Sequence, residues 1–132
     1  MFFSRALLIA TILAPLALAA PAAGPTRDVT CGTKVYTPTK VSTALAAGYS
    51  RLSENRFLDG YPHTFRNFEK LPVSPSCSGS ELFEFPLVSG GPYPGGDAGN
   101  DRVVFTSTGL YCTVMTHTGA GSNSFVPCRG AL

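Results

Sequence analysis

The 132-residue chain has no tryptophan, two methionines and two histidines. Its two isoleucines, Ile9 and Ile12, both lie within the first twenty positions. Charge is scarce: 14% of the residues are charged and the formal net charge is +2. That balance excludes a basic protein that coats nucleic acid by charge alone, though not a pocket that grips a single phosphate. No Cys-x-x-Cys pair exists among the four cysteines, so no zinc site is expected. The Gly- and Pro-rich stretch Ser89 to Asn100 is not followed by Gly-Lys-Ser/Thr and no helix start follows it, so it reads as a plain connection and not a phosphate-cradling loop. There is no internal repeat and no sign of a second domain.

Sixteen of the apolar residues crowd into the first twenty positions. Arg5 followed by the apolar run Ala6 to Leu18 and then Ala17-Leu18-Ala19 has the layout of a secretory signal peptide. The run is too short for a membrane anchor, Thr11 and Pro15 interrupt it, and no second one follows. Residues 1–20 are therefore expected to be an export signal cut somewhere between Ala19 and Gly24, and residues 21–132 a single extracellular domain with no membrane association. Without Arg5 the net charge is +1. The remainder is roughly 38% apolar, ordinary for one small core. All 14 glycines and all prolines but Pro15 lie in it, which argues for short strands joined by many turns. Cys31, Cys77, Cys112 and Cys128 lie there too, and an even count in a small exported chain reads as two disulfides with three possible connectivities.

One helix is expected. Thr37 is a good N-cap, Pro38 suits the first helical position, and Val41, Leu45, Tyr49 and Leu52 recur at three to four residues. Gly48 weakens it by about 1 kcal/mol relative to Ala, so packing of the apolar face must carry it. Asn55 to Gly60 reads as its exit. Strands are expected at Tyr61 to Phe65, Glu81 to Val88, Arg102 to Thr106, Leu110 to Thr116 and Ser124 to Val126, with Ser107-Thr108-Gly109 as a hairpin turn. The simplest arrangement is α+β: one helix packed on one twisted antiparallel sheet.

Alternation along these strands separates an apolar set from a few polar residues. Tyr61 shares a face with His63. Phe83 and Phe85 point one way and leave Glu84 on an opposite, otherwise polar face. Arg102 alternates with Val103 and Phe105, and His117 faces away from Val114. Singly, each is ordinary surface; two histidines, a glutamate and an arginine on the non-core faces form a candidate site.

Val41-Ser42-Thr43-Ala44, Ala46-Ala47-Gly48-Tyr49, Tyr61-Pro62-His63, Asp101-Arg102-Val103-Val104-Phe105 and Thr116-His117-Thr118-Gly119-Ala120 occur in the order seen in the fungal guanyl-specific ribonucleases of the T-one type, and the chain resembles that family from Cys31 to Cys128. The resemblance implies a metal- and cofactor-free endoribonuclease acting as a monomer on single-stranded RNA. It would cut 3′ of guanosine to a 2′,3′-cyclic phosphate that is then hydrolysed. DNA, which lacks the 2′-hydroxyl nucleophile, would not be cleaved. Glu84 would be the general base assisted by His63, and His117 the general acid. Tyr61 and Arg102 would hold the phosphoryl oxygens, and Phe125 would wall the leaving group. Opposite protonation states of a carboxylate and an imidazolium suit such acid–base work, and an always-charged arginine stabilises the phosphorane-like state.

The same resemblance implies that Phe65, Arg66, Asn67, Phe68, Glu69 and Asn123 bind the base, Glu69 accepting from the two donors on the guanine edge. Phe65 and Phe68 stand where the family has tyrosines, Arg66 where it has asparagine, and Phe85 where it has tryptophan. It also implies disulfides Cys31–Cys128 and Cys77–Cys112. A catalytically inactive secreted binding or effector module with this fold is the alternative; it predicts loss of the acid, base or phosphate-binding residues, and none of them is lost. A ribosome-targeting toxin on the same fold would want long basic loops that this chain has little room for.

Overall fold

Helix α1, Pro38–Ser53, is where the capping chemistry puts it: the Thr37 hydroxyl accepts from the Lys40 N–H at 3.3 Å and Pro38 occupies the first turn. Asn55 takes a left-handed backbone (φ 54°) and ends it. The computed structural model describes residues 9–14 and 24–132. The export-signal expectation therefore falls largely outside the described residues. No helix among the described residues is long and apolar enough to cross a membrane.

The expected single sheet is corrected to two. Val29–Cys31 (β1) and Lys34–Tyr36 (β2) form a small antiparallel hairpin turned at Gly32, where φ is 62°. Three-residue strands are too short to show periodicity, which is why they escape a sequence reading. The main sheet runs His63–Phe65 (β3), Leu82–Pro86 (β4), Asp101–Thr106 (β5), Tyr111–Thr116 (β6) and Val126–Pro127 (β7), antiparallel in chain order. The expected boundaries shift accordingly. Tyr61 and Pro62 lead into β3, Glu81 and Leu87–Val88 flank β4, and β7 starts two residues later than Ser124.

Two cores sandwich the main sheet. On one face α1 packs across β4 and β5, with Val41, Leu45, Phe85, Val103, Phe105 and Val114 buried between them. The opposite face, expected to be otherwise polar, holds a second core of Phe65, Leu71, Leu82, Val104 and Met115 covered by the 66–80 segment. Leu82 and Val104 alternate onto this face with Glu84 and Arg102, and the covering segment keeps them dry. The register between β5 and β6 shifts at Val104/Phe105, so Tyr111 turns toward the helix core and Cys112 toward the second core. There Cys112 bonds Cys77 at the end of a one-turn 3₁₀ helix, Pro75–Cys77, and this clamps the covering segment to the sheet. The other disulfide, Cys31–Cys128, ties β1 to the carboxyl-terminal end, where Thr30 and Arg129 also exchange backbone hydrogen bonds of 2.9 Å.

Candidate active site

Register brings the polar residues together on the second-core face. His63 pairs with Glu84, Glu84 with Val104, and Arg102 with Met115, so they fall on adjacent rows of one face. Glu84 is 5% exposed and binds His63 Nε2 through Oε1, while the His63 side chain is about half exposed, at 48%. Tyr61 stacks on His63 with ring centroids 4.6 Å apart.

Arg102 is almost fully buried, and its guanidinium is held rigidly. Nη1 donates to the carbonyls of Ala98 (3.2 Å), Gly99 (2.9 Å) and Asp101 (2.9 Å), and Nη2 to the Tyr61 hydroxyl (3.2 Å). Nε is buried and has no hydrogen-bond partner among the described residues. The guanidinium carbon lies 5.3 Å from the centroid of the Tyr61 ring and 5.9 Å from that of Phe125. Phe125 in turn stacks on His117 at 3.8 Å. Contacts thus run without a break from Glu84 through His63, Tyr61, Arg102 and Phe125 to His117. His117 Nδ1 lies 2.7 Å from the Ser124 carbonyl oxygen. A carbonyl only accepts, so Nδ1 carries a proton and Nε2 is left for chemistry.

Beside this row is a cavity of about 270 Å³ formed by Thr64 to Glu69 on one side and Asn123 and Phe125 on the other, with Glu84 at one end. All six expected base-binding residues line it, but they contribute differently. Phe65 belongs to the second core and meets Phe125 edge-on at 6.0 Å. The Asn67 side chain is committed to its own loop, donating to the Leu71 carbonyl (3.0 Å) and accepting from the Leu71 N–H (2.7 Å), with φ at 51°. These bonds hold the loop that forms the wall and leave one Nδ2 N–H and one Oδ1 lone pair of Asn67 uncommitted. Phe68 is 80% exposed on the lip. One Glu69 oxygen accepts the Phe125 N–H at 3.1 Å, which joins the two walls and positions the carboxylate.

Several supporting groups escape a sequence reading. The stretch Ser89 to Asn100, read as a plain connection, is corrected: its carbonyls at Ala98 and Gly99 hold Arg102, and that of Asn100 accepts the His117 N–H at 2.9 Å. In the same loop Tyr93 is buried edge-on against Tyr61 and Phe85. Behind Arg102, the buried Tyr36 hydroxyl donates to Asp101 at 2.5 Å. Backbone carbonyls belong to every residue, so nothing in the sequence marks these. Tyr93 and Tyr36 are aromatic, but only the fold shows what they touch. No group of three His, Cys, Asp or Glu residues able to hold a metal occurs among the described residues.

Comparison with known proteins follows the same lines. Residues 24–129 match a protein-family model described as ribonuclease. Guanyl-specific ribonuclease T1 of Aspergillus oryzae is 41% identical over 132 residues, covering 97% of this chain and 99% of that one. Guanyl-specific ribonuclease Pc of Penicillium chrysogenum is 43% identical over 102 residues, covering 75% of this chain and 95% of that one. Among solved structures, a ribonuclease from Hericium erinaceus superposes with a TM-score of 0.54 at 29% identity, covering 77% of this chain and 98% of the other.

Proposed function

The chain belongs to the guanyl-specific ribonuclease family, and from that premise we propose that it is a secreted, monomeric endoribonuclease that cleaves single-stranded RNA 3′ of guanosine. The attacking group is the substrate's own 2′-hydroxyl. Glu84 takes its proton, and His63, bonded to Glu84 Oε1, keeps that carboxylate oriented and shares the charge. The 2′-oxygen bonds to phosphorus as the bond to the 5′-oxygen breaks, and His117 Nε2 delivers the proton that the departing oxygen needs. With His117 Nδ1 held by Ser124, the ring is fixed for this transfer. Arg102 and Tyr61 meet the charge building on the phosphoryl oxygens. Because Arg102 is already locked by three carbonyls, little reorganisation is needed at the moment of reaction. Hydrolysis of the cyclic product runs the same transfers backward, with His117 as base toward water and Glu84 as acid. No step needs a metal or cofactor, and DNA offers no nucleophile.

The observation that carries this reading is the placing of one fixed cation between two separate proton-transfer centres, His63–Glu84 and His117. The guanine preference rests on Glu69, a carboxylate at the base cavity that can accept from the N1–H and exocyclic amine of guanine but finds no such pair on adenine.

The test is cleavage of GpC and ApC by the disulfide-bonded domain. GpC should yield cyclic product far faster. No product from either refutes the enzyme reading, and equal rates refute the guanine pocket while keeping the nuclease. Glu69→Gln should bring the two rates together. For export, the extracellular product of the full chain should begin between Ala20 and Pro25; retention of the intact chain inside the cell refutes it.

A further inference from the structure

A second groove, about 650 Å³, lies against the base cavity and shares the wall Thr64 to Phe68 with it. It continues to Ser80, Glu81 and Leu82 and contains none of His63, Glu84, Arg102 or His117. We propose that this groove is a second RNA subsite, which takes the nucleotide on the 5′ side of the guanosine and holds the phosphate between them with Arg66. The inference rests on the ribonuclease reading above and deepens it.

Three observations point to this occupant. The first is continuity. Two further cavities among the described residues, one beside the start of α1 and one near Leu132, share no lining residue with the base cavity. With guanine between the two walls and the leaving 3′ nucleoside at His117, the 5′ extension is the part of the substrate still without a place. The groove joined to the base cavity lies on the side without proton-transfer groups. The second is charge. Arg66 is exposed and lines both cavities, and among the described residues it takes part in neither of the two ion pairs, Arg56–Glu54 and His63–Glu84. A guanidinium at the junction of two base-sized spaces suits a phosphodiester joining two nucleosides. The third is the surface offered to a base. Phe68, 80% exposed, lines both cavities, and a ring there has one face for the guanine and one for its neighbour. The buried Phe65 and Leu82 make an apolar floor, and the exposed Ser80 and Glu81 supply polar groups at the far end.

The experiment compares kcat/KM for GpC, pGpC and ApGpC. A single charge-assisted contact plus stacking should make ApGpC about tenfold better than GpC, chiefly through KM. The 5′-phosphate alone, in pGpC, should recover part of the gain. Arg66→Asn should bring the ratio of ApGpC to GpC close to one, whatever it does to GpC itself. Ser80→Tyr, which fills the groove away from the base cavity, should lower the ratio and leave GpC cleavage unchanged. Binding is read separately with 2′-deoxy ApGpC and 2′-deoxy GpC, which lack the nucleophile: the longer ligand should shift the Ser80 and Glu81 amide resonances and the shorter should not. A native ratio near one, a ratio insensitive to both substitutions, or unshifted Ser80 and Glu81 amides overturns the subsite. Loss of GpC cleavage in the unaltered protein overturns the ribonuclease reading instead, and the deoxy titration still decides the groove.

Discussion

Gly48 sits in the middle of α1, where helix propensity alone favours its replacement by alanine by about 1 kcal/mol. The packing reverses that sign. A Cβ on Gly48 would stand 2.8 Å from both Cβ and Cγ of Phe85 and 3.0 Å from Cε1 of Phe105. The Phe85 Cβ is fixed to β4 and Phe85 is fully buried, so it cannot swing aside, and the helix itself must shift away from the sheet. Forcing a methyl into such a contact costs about 1–3 kcal/mol or more. With a fixed Cβ at 2.8 Å the upper part of that range, about 2–3 kcal/mol, applies, and subtracting the propensity gain of about 1 kcal/mol leaves Gly48→Ala destabilised by about 1–2 kcal/mol. In thermal unfolding followed by far-ultraviolet circular dichroism, that is a fall in Tm of about 5–10 °C for a domain of this size. Ala46 is the control. It lies exposed on the same helix, so Ala46→Gly reports propensity alone and should cost about 1 kcal/mol. If Gly48→Ala were as stable as the parent or more so while Ala46→Gly behaved as stated, the close approach of α1 to Phe85 would be refuted. Because Phe85 neighbours Glu84 on β4, the same variant should also lower kcat in GpC cleavage.

His117→Ala and Glu84→Ala should each lower kcat by about 10²–10⁴-fold, as expected for removal of a proton-transfer group. Their urea midpoints should stay close to the parent's, and a loss of several kcal/mol would mark them as structural instead. Stability should fall in alkali. Burial raises the phenols of Tyr36 and Tyr111 well above the ordinary value of 10.0, with the Asp101 carboxylate adding to the rise at Tyr36. Both keep their protons in the folded state while the unfolded chain releases them near pH 10. Their contribution is complete below that pH, and each tyrosine then removes about 1.4 kcal/mol per pH unit as pH climbs. Tyr36→Phe should roughly halve the slope measured by rapid urea unfolding; an unchanged slope counts against the buried phenol. Replacing both Cys77 and Cys112 by serine opens a loop of sequence separation 35 and should cost about 3–4 kcal/mol in the chain-entropy account. Because that bridge clamps the 66–80 segment, GpC binding should weaken more than the chemical step.

Much of this was legible in one dimension. Thr37 with Pro38 marks the helix start because capping is local chemistry, and alternation assigns Glu84 and Arg102 to the face away from Phe85 and Val103 because strand side chains have a period of two. The two short strands β1 and β2 left no trace, being too brief for any period. Alternation puts Leu82 and Val104 on the same face as Glu84 and Arg102; what the sequence hid is their cover, the 66–80 segment, which has no period of its own and reaches the sheet only through the fold and the Cys77–Cys112 bridge. Asn67 illustrates the limit within the site. It lines the base cavity as expected, but that its amide also braces the loop through Leu71 is visible only in the fold.

The linear order of residues carries the inventory: which side chains can move protons, which cation is permanent, which cysteines are available, and where helix and most strands begin. These depend on residue type and near-neighbour spacing. Folding is what locks Arg102 against the carbonyls of Ala98, Gly99 and Asp101, turns His117 toward Ser124, leaves Gly48 no room for a methyl, and sets a second groove beside the base cavity. Those are relations between segments distant in the chain or between backbone atoms that every residue shares, and they come into being only when the sheet pairs and the two disulfides close.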